Sequence, residues 1–168
     1  LLSTAAQVPA LALPEAPAQW RRESRMHHQE SVAMSTTLFA LLGFLSWTLL
    51  LLVLMEAIRA KLVLARQVPA NGFSPDNAGL SPFMQRLARA HANCLEGLPL
   101  FGGFMLLAIV AGKSNVTDPL ALVLLAARVI QSVIHLASTS PTAVTARFTA
   151  FLVQMGIAIT WAIQLYRA

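Results

Sequence analysis

Between Leu38 and Met55 the chain reads LFALLGFLSWTLLLLVLM, a run without a charge and without a polar face. At about 1.5 Å of rise per residue it covers most of a hydrocarbon layer roughly 30 Å thick. A helix in a soluble bundle needs a charged outer stripe. This segment has none, so it is read as a transmembrane helix extending from about Ser35 to Arg66. Phe148 to Tyr166 is likewise uncharged and closes with Trp161 and Tyr166, the amphipathic aromatics favoured at a membrane interface. Composition agrees: 57% of the chain is hydrophobic and 11% charged, against roughly one quarter charged in a soluble domain.

Two shorter apolar runs lie between these spans, Leu98 to Gly112 and Pro119 to Ala127, each below the length that crosses a bilayer alone. They reach across only by taking in polar residues. Extending the first back to about Phe83 includes Arg89, His91, Asn93 and Glu96, and extending the second forward to about Ser138 includes Arg128, Gln131 and His135. The fold class that follows is all-α, an integral membrane, antiparallel four-helix bundle over residues 34–168. Its first loop, VPANGFSPDNAGLSP, is broken repeatedly by Pro, Gly and Asn, and Ser81 before Pro82 supplies an N-cap and a first helical residue. Pro99 frees the carbonyl of Leu95, which predicts a kink just beyond Glu96. GKSNVTDP is read as the turn into the third helix and STSPTAVTA as the turn into the fourth. Loops this short make neighbouring helices antiparallel. Gly102, Gly103 and Ala108 are small enough for close helix contact.

Residues 1–33 differ in kind: they are rich in Ala and Pro and lack periodicity, which predicts a disordered extension. Their charges follow the apolar stretch, the reverse of a secretory signal. Without them, the basic residues beside the membrane divide five (Arg59, Lys61, Arg66, Arg86, Arg147) against two (Lys113, Arg167). Arg21, Arg22 and Arg25 would cancel that bias, so the positive-inside rule orients the bundle only if the extension is absent. Met34 is accordingly expected to be the native start, with both termini non-cytoplasmic. The net charge of +5 is scattered over loops and forms no nucleic-acid surface. Cys94, the only cysteine, is assigned to packing. His27 and His28 have no further ligand at metal spacing, so no metal site is expected. Asn115-Val116-Thr117 is a glycosylation sequon, but so close to the membrane that it is expected to go unused.

Arg89, Asn93 and Glu96, at i, i+4 and i+7, share one face of the second helix, while His91 points away from it. Arg128, Gln131 and His135, at i, i+3 and i+7, form a matching stripe on the third helix beside Ser132. Because those helices are antiparallel, both stripes fall in the same half of the bilayer. Arg147 opens the fourth helix on that side, and Arg59 leaves the first there, so polar groups from all four helices converge at one level. An unpaired charge at such a depth costs at least about 2.5–3.5 kcal/mol. Arg89 or Arg128 paired with Glu96 would be ordinary interhelical glue. Several cations around a single carboxylate leave an excess of positive charge, which an anionic ligand would complete.

The stretch RLARAHANCLEGLPLF, Arg86 to Phe101, resembles the R-A-H/Q-x-N-x-x-E-x-x-P-x-F signature of the membrane-associated proteins in eicosanoid and glutathione metabolism. ARVIQSVIHL, Ala127 to Leu136, resembles that family's R-I/V-x-H/Q-S/T-x-x-Y/H-L segment. The likeness covers about residues 34–168. It implies a homotrimeric four-helix membrane protein that binds glutathione between neighbouring subunits near the cytoplasmic side. Arg89, Asn93 and Glu96 look like the family residues that hold the peptide's carboxylates and amino group, and His91 sits where relatives place a polar contact. Arg59 looks like the arginine at the end of the first helix and Arg128 like that of the third. Gln131 and His135 occupy positions that are often His and Tyr. Arg147, followed four residues later by Phe151, resembles the arginine that stabilises the glutathione thiolate. Ala92 stands where the prostaglandin-forming branch has a basic residue, which argues against that activity.

The resemblance therefore implies a glutathione S-transferase that uses glutathione as co-substrate and acts on lipophilic electrophiles arriving from the lipid. The expected location is a bacterial inner membrane, with the site toward the cytoplasm. Expected partners are membrane lipids, lipophilic small molecules and further copies of the chain. A non-enzymatic lipid-binding or scaffold protein of the same fold is the rival reading. A transporter would need an internal repeat or paired broken helices, and the sequence has neither.

Overall fold

The computed structural model describes residues 34–167, so the expectations for the 1–33 extension and for His27 and His28 fall outside it. Among the described residues all regular structure is helical: α1 Thr36–Leu64, α2 Pro82–Val110, α3 Ser114–Ala137 and α4 Pro141–Arg167. Each helix is long and apolar enough to cross a membrane. The outer pair is α1 and α4, while α2 and α3 each pack against all the others. The core at their centre includes Phe44 and Leu51 from α1, Leu87, Phe101 and Met105 from α2, Leu124 from α3 and Trp161 from α4.

The start of α2 is as predicted, with Ser81 Oγ accepting from Met84 N at 3.3 Å and Pro82 in the first turn. Pro99 produces a π-helical turn over Leu98–Gly102. A wider turn accommodates a proline that can neither donate to nor pack closely against the carbonyl four residues back. The half of α2 before this turn makes no close backbone approach to α4, whereas the half after it does. A gap is left between the ends of α2 and α4, floored by α3. Gly102 and Ala108 pack closely as expected, a Cβ on Gly102 lying 3.4 Å from Leu41 Cδ1 on α1. Gly103 does not, because nothing lies within 4 Å of where its Cβ would be.

Two boundaries differ from the sequence reading. Helix α3 begins at Ser114 and takes Pro119 inside it, so GKSNVTDP is mostly helix. Its polar residues are tied to the start of α1: Asp118 Oδ1 accepts from Thr37 N at 2.7 Å and from Thr37 Oγ1 at 2.6 Å, while Thr117 and Thr37 hydroxyls meet at 2.7 Å. Asp118 thereby serves one of the orphan amides in the first turn of α1. Helix α4 begins at Pro141, with Ser140 Oγ accepting from Ala143 N at 3.3 Å, so STSPTAVTA contracts to Ser138–Ser140. Arg147 consequently lies in the second turn of α4 instead of opening it. At the other end of α2, Gly112 at φ +66° closes the helix, with Lys113 N donating to Ala108 O at 2.7 Å and Gly112 N to Ile109 O at 3.1 Å. This is the paired 6→1 and 5→2 closure that favours a glycine.

Candidate functional site

The gap between α2 and α4 is a groove made of three adjoining clefts. The outermost, about 450 Å³, is bordered by Arg86 and Arg89 of α2, His135 of α3, Thr139, and Arg147 of α4. A middle cleft of about 310 Å³ shares His135 and Arg147 with it and adds Asn93, Glu96, Gln131, Phe148 and Phe151. The innermost, about 160 Å³, keeps Asn93, Glu96 and Phe151 and ends at Gly97, Phe101 and Arg128. The two stripes read from the sequence thus face one space, and Arg147 joins them.

Arg128 is the deepest charge, with 1% of its surface exposed. Its guanidinium lies between the rings of Phe44 and Phe101, with centroids 5.2 Å and 5.3 Å away. Nη1 donates to Asn93 O at 3.1 Å, but Nε and Nη2 are buried without a partner. Gly97 makes this position possible, since a Cβ there would overlap Nη2. Among the described residues Glu96 has no ion-pair partner; the ion pair Arg59–Glu56 is elsewhere. The interhelical glue that could have explained these charges is therefore not formed. Arg147 also holds a buried, unpartnered Nη1.

Around these charges lies an amide and imidazole network. Asn93 Nδ2 donates to Arg89 O at 3.1 Å and sits 3.5 Å from His135 Nδ1. Gln131 Oε1 accepts from Gln154 Nε2 at 2.9 Å. Gln154, wholly buried on α4, was missed by the sequence reading, and its signal was an amide at the middle of a largely apolar span. Arg86, read from sequence only as a loop-side charge, borders the outer cleft and donates from Nε to Leu136 O at 2.8 Å, capping α3. Cys94 is buried with Sγ 3.5 Å from Ser132 Oγ, in keeping with packing.

Two expected residues stand apart. His91 is half-buried and borders none of these clefts. Arg59 is bound into the loop between α1 and α2: Nε and Nη2 donate to Asn77 Oδ1 at 3.0 Å and 2.6 Å, Nη2 donates to Ser74 O at 3.2 Å, and Phe73 stacks 5.4 Å from the guanidinium. Asn77 adopts φ +56° and donates from Nδ2 to Met84 O at 3.0 Å, so Arg59 and Asn77 together fasten this loop to α2. Three helices, not four, therefore supply polar groups to the groove; from α1 the Phe44 ring packs behind Arg128.

Electrostatically the groove has four guanidinium groups, from Arg86, Arg89, Arg128 and Arg147, against the Glu96 carboxylate. Chemically it can hold an anion along its length and an ammonium at Glu96, with an apolar wall of Phe148 and Phe151 beside them. A family model described as "MAPEG family" matches residues 31–167. Neither a curated protein nor a solved structure matches the chain.

Proposed function

The chain belongs to the MAPEG family, a family of four-helix membrane proteins, and from that premise we propose that it is a glutathione S-transferase for lipophilic electrophiles. The observation that carries this is the unpaired state of the charges: Arg128 is buried with two nitrogens unpartnered while Glu96 remains free in the same cleft. A charge withdrawn from water without a counter-charge is strongly unfavourable. Glutathione supplies what is missing, since its carboxylates match arginine forks and its ammonium matches Glu96. In this reading Arg89, Asn93, Glu96, Arg128, Gln131 and His135 position the tripeptide. Arg147 stabilises its thiolate, which attacks an electrophile that enters past Phe148 and Phe151 from the lipid. His91 and Arg59 would contribute only across a subunit boundary. The groove is open along one side of the single chain, and a homotrimer would close it with a neighbouring copy. With the 1–33 extension absent, the five-against-two bias of basic residues would favour a groove facing the cytoplasm, in this reading that of a bacterial inner membrane.

Ultraviolet difference spectroscopy tests the proposal on detergent-solubilised protein titrated with glutathione near neutral pH. Thiolate absorbance should appear and should vanish in Arg147→Ala, with kcat/KM toward a model electrophile falling on the order of 10²-fold. Glutathione binding without thiolate absorbance would identify a non-enzymatic scaffold. Absence of binding would refute both.

A further inference from the structure

A buried hydrogen-bond relay reaches the groove from the face of α4 that meets α3. Gln154 Nε2 donates both to Ala150 O, one turn back on its own helix, and to Gln131 Oε1 on α3, each at 2.9 Å. Gln154 Oε1 is buried and unpartnered. Reversing the Gln154 amide would set its oxygen against two other oxygens and orphan both N–H bonds, which is worse than one orphan acceptor. The main-chain carbonyl of Ala150 therefore fixes Gln154, and Gln154 fixes Gln131. With its oxygen facing Gln154, Gln131 turns the two N–H donors of its amide the other way. Nε2 has no hydrogen-bond partner among the described residues, and Gln131 borders the middle cleft together with Arg147.

We propose that the Gln131 amide, held in this orientation by Gln154, is a second donor to the glutathione sulfur, opposite Arg147. The inference rests on the glutathione reading above and deepens it. Gln131 would touch the reacting atom; Gln154 would be a positioning residue that never meets the ligand. A lone arginine favours the thiolate by charge. An N–H in a fixed direction also selects one rotamer of the cysteine side chain, aligning a sulfur lone pair with the Phe148–Phe151 wall, where the electrophile arrives. The relay also gives a role to an amide pair that contributes nothing to lipid contact: both residues are buried, at 8% and 0% exposure.

The experiment is a double-mutant cycle with Gln131→Met, Gln154→Met and the double variant. Methionine keeps the volume and removes the hydrogen bonds. The spectroscopic pH titration of bound glutathione is the readout. Each single variant should raise the apparent thiol pKa by about one unit, a roughly tenfold loss of thiolate at neutral pH. Glutathione affinity at high pH should be little changed, so kcat falls with KM nearly constant. Gln154→Met should add nothing in the Gln131→Met background, because it acts only through that residue. If Gln154→Met does not fold, Gln131→Met alone still decides the sulfur contact. Wild-type protein that shows a thiolate signal alongside an unshifted thiol pKa in Gln131→Met would overturn the inference and leave the glutathione reading standing. Additive effects of the two substitutions would refute the relay. Wild-type protein with no thiolate signal would instead remove the reading on which the inference rests.

Discussion

Replacing Gly97 by alanine tests how tightly Arg128 is held. The new methyl group would overlap Arg128 Nη2 and would lie 3.1 Å from both Arg128 Cζ and Phe101 Cδ2. The guanidinium has little freedom to retreat, being enclosed by Phe44 and Phe101 and bonded to Asn93 O. Overpacking a filled site costs about 1–3 kcal/mol. Pulling the group off Asn93 O forfeits a charge-assisted hydrogen bond of about 1.5–3 kcal/mol, and each ring contact contributes a further 0.5–1 kcal/mol or about that. Against these stands about 1 kcal/mol returned by exchanging a helical glycine for alanine. Allowing for partial relaxation, the balance is a destabilisation of about 2–4 kcal/mol. Thermal unfolding of the detergent-solubilised variant should show it as a Tm lower by roughly 10 °C. Gly103→Ala, on the same helix with nothing within 4 Å of the added carbon, is the control and should be neutral or slightly stabilising. In an Arg128→Met background the penalty of Gly97→Ala should largely disappear, since the clash is with the guanidinium. Equal stability of Gly97→Ala and Gly103→Ala would refute the account.

Two other substitutions probe the ends of the bundle. Asn77→Ala removes the acceptor of two Arg59 bonds and the donor to Met84 O, and places alanine at φ +56°. A loss of about 2–4 kcal/mol is expected, seen as faster proteolysis within the loop before Pro82, with Asn77→Asp intermediate because it keeps the acceptor. Asp118→Ala should free the first turn of α1, at a cost of about 1–3 kcal/mol read from Tm and from hydrogen exchange at Thr37, whereas Asp118→Asn should retain part of the contact.

Much of this was legible because membranes make sequence patterns severe. Four spans, the Ser81–Pro82 start and the disturbance at Pro99 follow from apolar length and proline chemistry. The two displaced boundaries have different physical causes: at the start of α3 the partner of Thr117 and Asp118 is distant in sequence, whereas at the start of α4 the capping bond is local. Thr117 and Asp118 resemble loop chemistry until Thr37 is seen to satisfy them. Ser140–Pro141 carries the same start signal as Ser81–Pro82, and it was outweighed by the Ser and Thr around it. In the groove, i, i+4 and i+7 spacing located the stripes correctly, because helix geometry fixes them. It could not locate Arg59, whose partners depend on the loop conformation around Asn77, nor Gln154, whose meaning depends on an amide on another helix.

The π turn at Leu98–Gly102 inserts about one residue into the repeat, and one residue is about 100° of rotation around a helix axis. The stretch from Gly103 to Val110 is therefore dialled round relative to the stretch bearing Arg89, Asn93 and Glu96. One continuous rod can in this way aim its polar stripe at the groove and its far end at α4, although a uniform pitch would tie those two directions together. Lipid contacts beyond Gly102 are thus free to diverge without turning a single groove residue out of line.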